Sequence, residues 1–335
     1  MGRFLLRRLA YLVLVLLGTT AVVFALSYVA PADPARAALG LYASEESVAR
    51  YRAEHGLNRP LPIQYAVYLT RLLSGDLGIS ILSGRPVIDD LRKALPATLE
   101  LIVPSLIFAV VVGIGLGALG ALKANRWQDT VARLAAVFGM SMPVFWLGVV
   151  LQLILFGRLG WLPIGGRLPH TEIGTTVITG LVTVDALLAG RLDLFLTALR
   201  HLVLPAFTLS LVNLATLARI TRSALLDVLH QPYVQVAYSK GLTRSLVVRR
   251  HAFPNAMIPL ITLIGLMIGR SLGGAVIVET IFSWPGIGRQ VVGALIQLDV
   301  PVVAAFALLM GVAYGIANML VDVSYFVIDP RVRYQ

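Results

Sequence analysis

Six apolar segments constrain this chain more than any other feature of its sequence. Each is long enough to cross the roughly 30 Å hydrocarbon core of a membrane, which takes about 20 helical residues. Because a span in lipid must satisfy its own backbone hydrogen bonds, we expect each segment to be a helix. Pro104, Pro143 and Pro205 lie inside three of the segments, and we expect them to break or kink those spans. The six segments are residues 9–30, 97–122, 131–157, 202–220, 256–278 and 302–328.

The composition agrees with an all-α integral membrane protein. Hydrophobic residues make up 58% of the chain and charged residues only 13%, whereas soluble domains carry about 25% charged residues. The net charge of +11 has nucleic-acid binding as its alternative explanation, but no motif of that kind is present. We therefore expect no nucleic-acid partner. The absence of cysteine excludes disulfides, thiolate metal sites and a cysteine nucleophile.

The distribution of Lys and Arg predicts that both termini are cytoplasmic. The short segments then placed inside are strongly basic, whereas the long loop 31–96 carries eight basic and seven acidic residues. Long balanced loops translocate readily, so this orientation is consistent. The predicted organisation is a cytoplasmic N-terminus with the first span (1–30), a partly helical extracytoplasmic loop (31–96), a transmembrane domain (97–328) and a cytoplasmic tail (329–335).

No motif predicts catalysis or a cofactor bound by this chain. The GxGxxG pattern at 115–120 lies inside an apolar segment, where small residues allow close helix packing, and not after a strand as a dinucleotide site requires. There is no P-loop and no HExxH motif, and the five histidines lack ligand spacing. We therefore expect a non-enzymatic chain without a metal.

Few polar residues lie within the spans. Glu100 and Arg270 are near span ends, and we expect them to snorkel to the interface. Asp322 lies deeper in the last span and either pairs with a neighbouring helix or sits near its cytoplasmic end. Asn213 and Asp322 are the candidates for a polar translocation path.

The loop 229–255, between the fourth and fifth spans, carries four basic residues and a single pattern of interest. Ala237, Gly241 and Pro254 stand at the spacing of the EAA loop of ABC importer permeases, which this segment resembles. The dipeptide/oligopeptide branch has a closer variant of the pattern. The residues that match it are Tyr233, Val234, Ala237, Lys240, Gly241, Leu242, Arg250, His251, Ala252, Asn255, Ala256 and Pro259.

The resemblance extends over nearly the whole chain. GLNRPLPIQY and SGDLGIS resemble the first outer loop of the family, SMPVFWLG its third span, and GGAVIVETIFSWPGIGR the region after its fifth. The chain is similar to the first permease subunit of dipeptide, oligopeptide and nickel importers. This implies six transmembrane helices of the type I ABC importer permease fold and a bacterial cytoplasmic membrane location. It also implies ATP-driven import of dipeptides or oligopeptides.

The resemblance further implies partners and sites. The implied partners are a second homologous permease, two cytoplasmic ATPases that hold ATP and Mg²⁺, an extracytoplasmic substrate-binding protein, a peptide and membrane lipid. The basic loop would form a coupling helix that docks in a groove of an ATPase, with Val234, Ala237 and Leu242 filling the groove. The residues assigned to coupling are Tyr233, Val234, Gln235, Ala237, Lys240, Gly241, Leu242 and Arg244. The residues assigned to an outer gate are Phe282, Trp284, Pro285 and Gly286, with an interfacial aromatic anchor as the alternative.

Two alternatives remain open from the sequence. An ion-coupled secondary transporter would show related halves and ionisable groups within its spans, and neither feature is evident. The same importer class also carries nickel chelates, glutathione or haem in place of peptides.

Overall fold

The structure is a computed structural model that describes residues 2–29, 35, 43–54, 57–169 and 177–328. Within these ranges it is helical, and its only strand pairing is an isolated bridge between Ile79 and Pro86. The prediction of an all-α chain is therefore confirmed. The α-helices are α1 Gly2–Val29, α2 Glu45–Glu54, α3 Leu61–Leu73, α4 Val87–Leu122, α5 Trp127–Ser141, α6 Val144–Leu151, α7 Val182–Leu188, α8 Leu192–Leu229, α9 Pro232–Ser239, α10 Arg244–Val247, α11 Phe253–Ile281, α12 Ile287–Ile296 and α13 Val300–Ile328. Two π-helical segments extend them: Gln152–Arg158 continues α6, and Val248–Ala252 joins α10 to α11.

The chain divides into two compact units. The first comprises Met1–Leu95 and Arg289–Gly315, and the second comprises Pro96–Gly288 and Ile316–Gln335. In the first unit, α1 packs on α3 through a hydrogen bond of 2.8 Å between the hydroxyls of Thr20 and Tyr65.

The core of the second unit is built by α4, α8 and α11. Leu101 of α4, Leu202 of α8 and Val278 of α11 are buried in one cluster. Glycines allow α4 and α8 to approach closely, because a Cβ added at Gly113 or Gly117 would lie 2.9 Å and 2.5 Å from backbone oxygens of α8. The glycine pattern therefore serves helix packing, as the sequence predicted.

In the described part of the chain, five helices are long and apolar enough to cross a membrane. The predicted third span is not one straight helix. The chain bends by 106° between α5 and the helix Val144–Arg158, which begins with α6, and the two count as a sixth span only if taken together. Met142 is extended there and Pro143 precedes α6, because a proline restricts the residue before it to extended conformations. The expectation of a break is confirmed at Pro143. At Pro104 and Pro205 there is no break, since α4 and α8 continue through these residues, and a kink at either position stays a prediction.

Candidate functional site

The loop after α8 folds into a short helix, a turn and a return path to α11. Pro232 begins α9, where its missing N–H costs no hydrogen bond. Gly241 follows the end of α9 with φ of +77°, a left-handed conformation that glycine adopts without strain. Its N–H donates to the carbonyl of Tyr238 at 2.9 Å. The turn lets α10 return along the helix that precedes it.

The two faces of α9 have different environments. Val234 is fully buried and Ala237 is nearly so, and both pack with Val247 of α10 in a small core of the loop. In this structure the chain covers both side chains itself, so neither is available to fill a groove of another protein, and their role in coupling stays a prediction. Tyr233 and Val236 are instead 45% and 53% exposed.

The outward face of α9 is the surface that the loop leaves available for contact. Gln235 and Lys240 are also exposed, while Leu242 is partly buried against the core of the loop. Sequence reasoning missed Val236, since the residue departs from the family pattern. Its position two residues after a buried valine was the available signal, because residues i and i+2 lie on different sides of a helix. We define the docking face as Tyr233, Gln235, Val236 and Lys240.

Arg244 ties the loop to the end of α4. Its guanidinium donates a hydrogen bond of 2.6 Å to the carbonyl oxygen of Leu122, the last residue of α4. Carbonyls at a helix C-terminus lack partners within the helix, and a cation is favourable there. The loop is therefore anchored to a long apolar helix by a contact that the sequence did not predict.

A buried ion pair lies near the C-terminal end of α8. Arg222 of α8 donates to both carboxylate oxygens of Asp129 of α5, at 2.6 and 2.8 Å, and Asp129 is fully buried. The N–H of Asn125 donates to the same carboxylate at 3.0 Å. A two-pronged guanidinium–carboxylate pair fixes orientation as well as distance, so α5 and α8 are held in register where the loop begins.

The segment after α11 is folded into the protein interior. Phe282 and Trp284 are each 1% exposed, and the indole N–H of Trp284 donates to the carbonyl of Ala97 at 2.7 Å. Ser283 between them has φ of +50°. An interfacial aromatic anchor needs exposure that these side chains lack. The aromatic pair instead packs against α4, and the gate assignment remains a prediction.

Glu279 organises this segment and was missed from the sequence. It is fully buried near the end of α11 and accepts a hydrogen bond of 2.6 Å from the hydroxyl of Thr98. The same hydroxyl accepts the N–H of Ile287 at 2.9 Å. Gly286 lies so close that any Cβ there would overlap the carboxylate. The available signal was an acid at the end of an apolar span, which is costly unless it is hydrogen-bonded.

Glu100 does not snorkel, which corrects the expectation from sequence. It is 5% exposed and forms an ion pair with Arg167. It also accepts hydrogen bonds of 2.7 Å from the N–H and hydroxyl of Thr183. Burial of a carboxylate is compensated only when such partners surround it. Glu100 therefore fixes the segment between α6 and α8 to α4.

The two path candidates have different outcomes. The side-chain amide of Asn213 in α8 donates to the hydroxyl of Ser271 in α11 at 3.0 Å, so this polar group links two helices. The side chain of Asp322 lies outside the described residues, as does the tail 329–335. Among the described residues there is no group of three His, Cys, Asp or Glu placed to hold a metal ion.

Comparison with known proteins gives consistent matches along the chain. The model of the family "Binding-protein-dependent transport system inner membrane component" matches residues 109–334, and that of its N-terminal region matches residues 1–102. The chain is 44% identical over 321 residues to the probable D,D-dipeptide transport system permease protein DdpB of Escherichia coli, covering 96% of this chain and 94% of that one. It is 40% identical to the dipeptide transport system permease protein DppB of Alkalihalophilus pseudofirmus, covering 98% of both chains.

One further relative and one solved structure extend the comparison. The chain is 37% identical to the glutathione transport system permease protein GsiC of Salmonella choleraesuis over the full length of both chains. Among solved structures, inward-facing MetNI, a methionine ABC transporter, is similar in fold. That match has a TM-score of 0.53 and 15% identity and covers 71% of this chain and 96% of the other.

Proposed function

We propose a function from the premise that this chain belongs to the family of binding-protein-dependent transport system inner membrane components. The chain is the transmembrane permease subunit of an ATP-driven importer for dipeptides. The observation that carries this conclusion is the full-length similarity to dipeptide permeases. A glutathione permease is nearly as similar, so short peptides in a wider sense are the substrate class.

In this proposal the loop 229–255 is the coupling loop, and the docking face contacts a cytoplasmic ATPase. Exposed Tyr233 and Val236 supply apolar area, and Lys240 supplies positive charge for acids on the partner. Arg244 transmits displacement of the loop to α4, because its hydrogen bond ends on the last carbonyl of that helix. The buried Asp129–Arg222 pair keeps α5 and α8 together during the displacement.

The chain works as one part of a larger complex. Its partners are a second, homologous permease, two ATPases that bind ATP and Mg²⁺ and carry out hydrolysis, and an extracytoplasmic binding protein that delivers the peptide. The complex lies in a bacterial cytoplasmic membrane. Both termini of this chain face the cytoplasm, an orientation supported by the basic segments that flank its spans.

The segment Phe282–Gly286 is the proposed outer gate. The pair Thr98–Glu279 sets the backbone of this segment, because one hydroxyl joins the carboxylate to the N–H of Ile287. Displacement of α4 by the coupling loop then moves Thr98 and alters the support of the buried aromatic pair. Asn213 and Asp322 remain the candidates for polar groups along the path.

Reconstitution tests this function. The chain is purified with its partner subunits in lipid nanodiscs, and ATP hydrolysis is measured with the binding protein in the presence and absence of a dipeptide. We expect stimulation by the dipeptide in the wild type and its loss in Val236→Asp, because a charge replaces the exposed apolar centre of the docking face. Leu246→Asp is the matched control, as Leu246 is an exposed residue of α10. Hydrolysis that is indifferent to the dipeptide, or equal in both variants, would contradict the proposal.

A further inference from the structure

An open cavity of about 340 Å³ lies between the segment that follows α6 and the beginning of α8. Phe156, Trp161, Arg200 and His201 contribute to its wall. The cavity therefore combines aromatic surface with a guanidinium on an exposed residue and an imidazole on a buried one. None of these residues takes part in the proposed coupling loop or gate.

Arg200 has no acidic partner among the residues that the structure describes. It is exposed, and so are Leu196 and Val203, which lie one turn before and one turn after it on α8. Side chains at these spacings share one face of a helix. The guanidinium thus stands on an apolar face, where a soluble anion has little to contact beyond the charge. An amphiphile matches both the apolar face and the charge.

His201 is held so that one nitrogen remains available to the cavity. The residue is 9% exposed, and Nδ1 lies 2.9 Å from the carbonyl oxygen of Gly165 and 3.2 Å from that of Gly166. Since both neighbours are acceptors, Nδ1 carries the proton. Nε2 is then an acceptor in the neutral ring and a donor in the charged ring, and it has no hydrogen-bond partner among the described residues.

The depth of the cavity fits the level of lipid headgroups. Arg200 and His201 directly precede the long apolar run of α8, and Trp161 is 70% exposed at the rim. Exposed tryptophans concentrate at the membrane interface, where the ring meets the acyl chains and its N–H meets polar groups. Basic side chains near the ends of spans reach the same level.

We propose that this cavity binds the headgroup of an anionic phospholipid, with phosphatidylglycerol as the matching chemistry. The phosphate lies against the guanidinium of Arg200, which pairs with phosphate in a two-pronged geometry. A glycerol hydroxyl donates to Nε2 of His201. The acyl chains follow the apolar face of α8 that Leu196 and Val203 form.

Lipid binding to the full chain, purified in its complex and freed of native lipid, tests the proposal. Native mass spectrometry gives the affinity for added phosphatidylglycerol and phosphatidylcholine. We expect Arg200→Gln to weaken phosphatidylglycerol binding by about tenfold, equivalent to about 1.4 kcal/mol. His201→Asn should weaken it as well, since asparagine retains a donor for the Gly165 carbonyl but removes Nε2. Arg191→Gln is the control, because Arg191 lies outside the cavity and pairs with exposed Asp193.

Three results would overturn the proposal. Equal affinities of Arg200→Gln and Arg191→Gln would show that only general surface charge attracts the lipid. Displacement of phosphatidylglycerol by inorganic phosphate at equal concentration would assign the site to a free anion. Loss of the second permease from the Arg200→Gln complex, with unchanged lipid affinity, would assign this face to a subunit contact.

Discussion

At the scale of single residues, the most informative positions are those whose burial differs from what the family pattern or the residue type predicts. Val234 matches the family pattern but is covered by the chain itself, whereas Val236 departs from the pattern and is exposed. Glu279 is an acid in an apolar environment, and it is tolerated because Thr98 donates to it. The sequence pattern therefore does not identify the exposed valine of α9 or the hydrogen bond of Glu279, and both are found only from contacts in the folded chain.

Gly241→Ala is expected to strain the turn after α9. A left-handed backbone costs a residue with a Cβ about 1–2 kcal/mol, and nothing within 4 Å of the added atom would otherwise clash. The strain therefore appears as faster hydrogen exchange in residues 233–247 and weaker retention of the ATPase subunits. Gly115→Ala is the control, since Gly115 also has open space but lies within α4. Equal exchange in the two variants would refute the role of the turn.

Thr98→Val is expected to lower the free energy of unfolding by about 1–3 kcal/mol, because a hydrogen bond to a buried carboxylate is lost. Denaturant unfolding of the purified chain measures the change. Thr216→Val serves as the control. Among the described residues, the hydroxyl of Thr216 bonds only to the Val212 carbonyl one turn earlier in α8. If the two variants lose the same stability, Thr98 does not organise the segment after α11.

At the scale of elements, the sequence predicted the helices well and their local contacts poorly. Apolar length located five spans that are single long helices, whereas the segment 131–157 is a bent pair of helices. Length is informative because a membrane span must satisfy its own backbone hydrogen bonds. Proline alone did not predict where a helix breaks. Pro143 marks the break between α5 and α6, but α8 continues through Pro205. The docking face depended on which side of α9 the chain covers, and that follows from contacts with α10 that no local pattern contains.

The segment before α7 gives a pH-dependent prediction outside the spans. Burial alone raises the pKa of the Asp185 carboxyl, but hydrogen bonds from Thr179, Gly180 and Ile178 outweigh burial and hold this pKa below its usual value. A lowered pKa in the folded chain means that the stabilisation is present above the unfolded value of 3.8 and is lost as the pH falls through the folded value.

Asp185→Asn should therefore increase hydrogen exchange of residues 178–185 at pH 7, and the difference from the wild type should disappear in strong acid. Asp193→Asn is the control, because that carboxylate is largely exposed. Exchange in this segment that is the same in the wild type and Asp185→Asn at pH 7 would show that the carboxylate does not hold it.

At the scale of the whole molecule, the chain is a transmembrane subunit whose work depends on partners. Its full-length similarity to dipeptide permeases shows the class of protein. In the proposed mechanism, the short helix α9 is where movement of the ATPase is passed to this chain. That assignment requires the docking face, and not the buried face of α9, to lie against an ATPase. The anchor from Arg244 to the end of α4 then connects this input to the spans.

Site-specific disulfide cross-linking tests this assignment most directly, and the chain is suited to it because it contains no cysteine. Val236→Cys and Val234→Cys are made separately, and each is assembled with ATPases that carry a series of single cysteines along their membrane-facing groove. The account predicts that Val236→Cys cross-links to an ATPase and that Val234→Cys, which is fully buried, does not. Cross-linking through position 234 alone, or through neither position in an assembled complex, would contradict it.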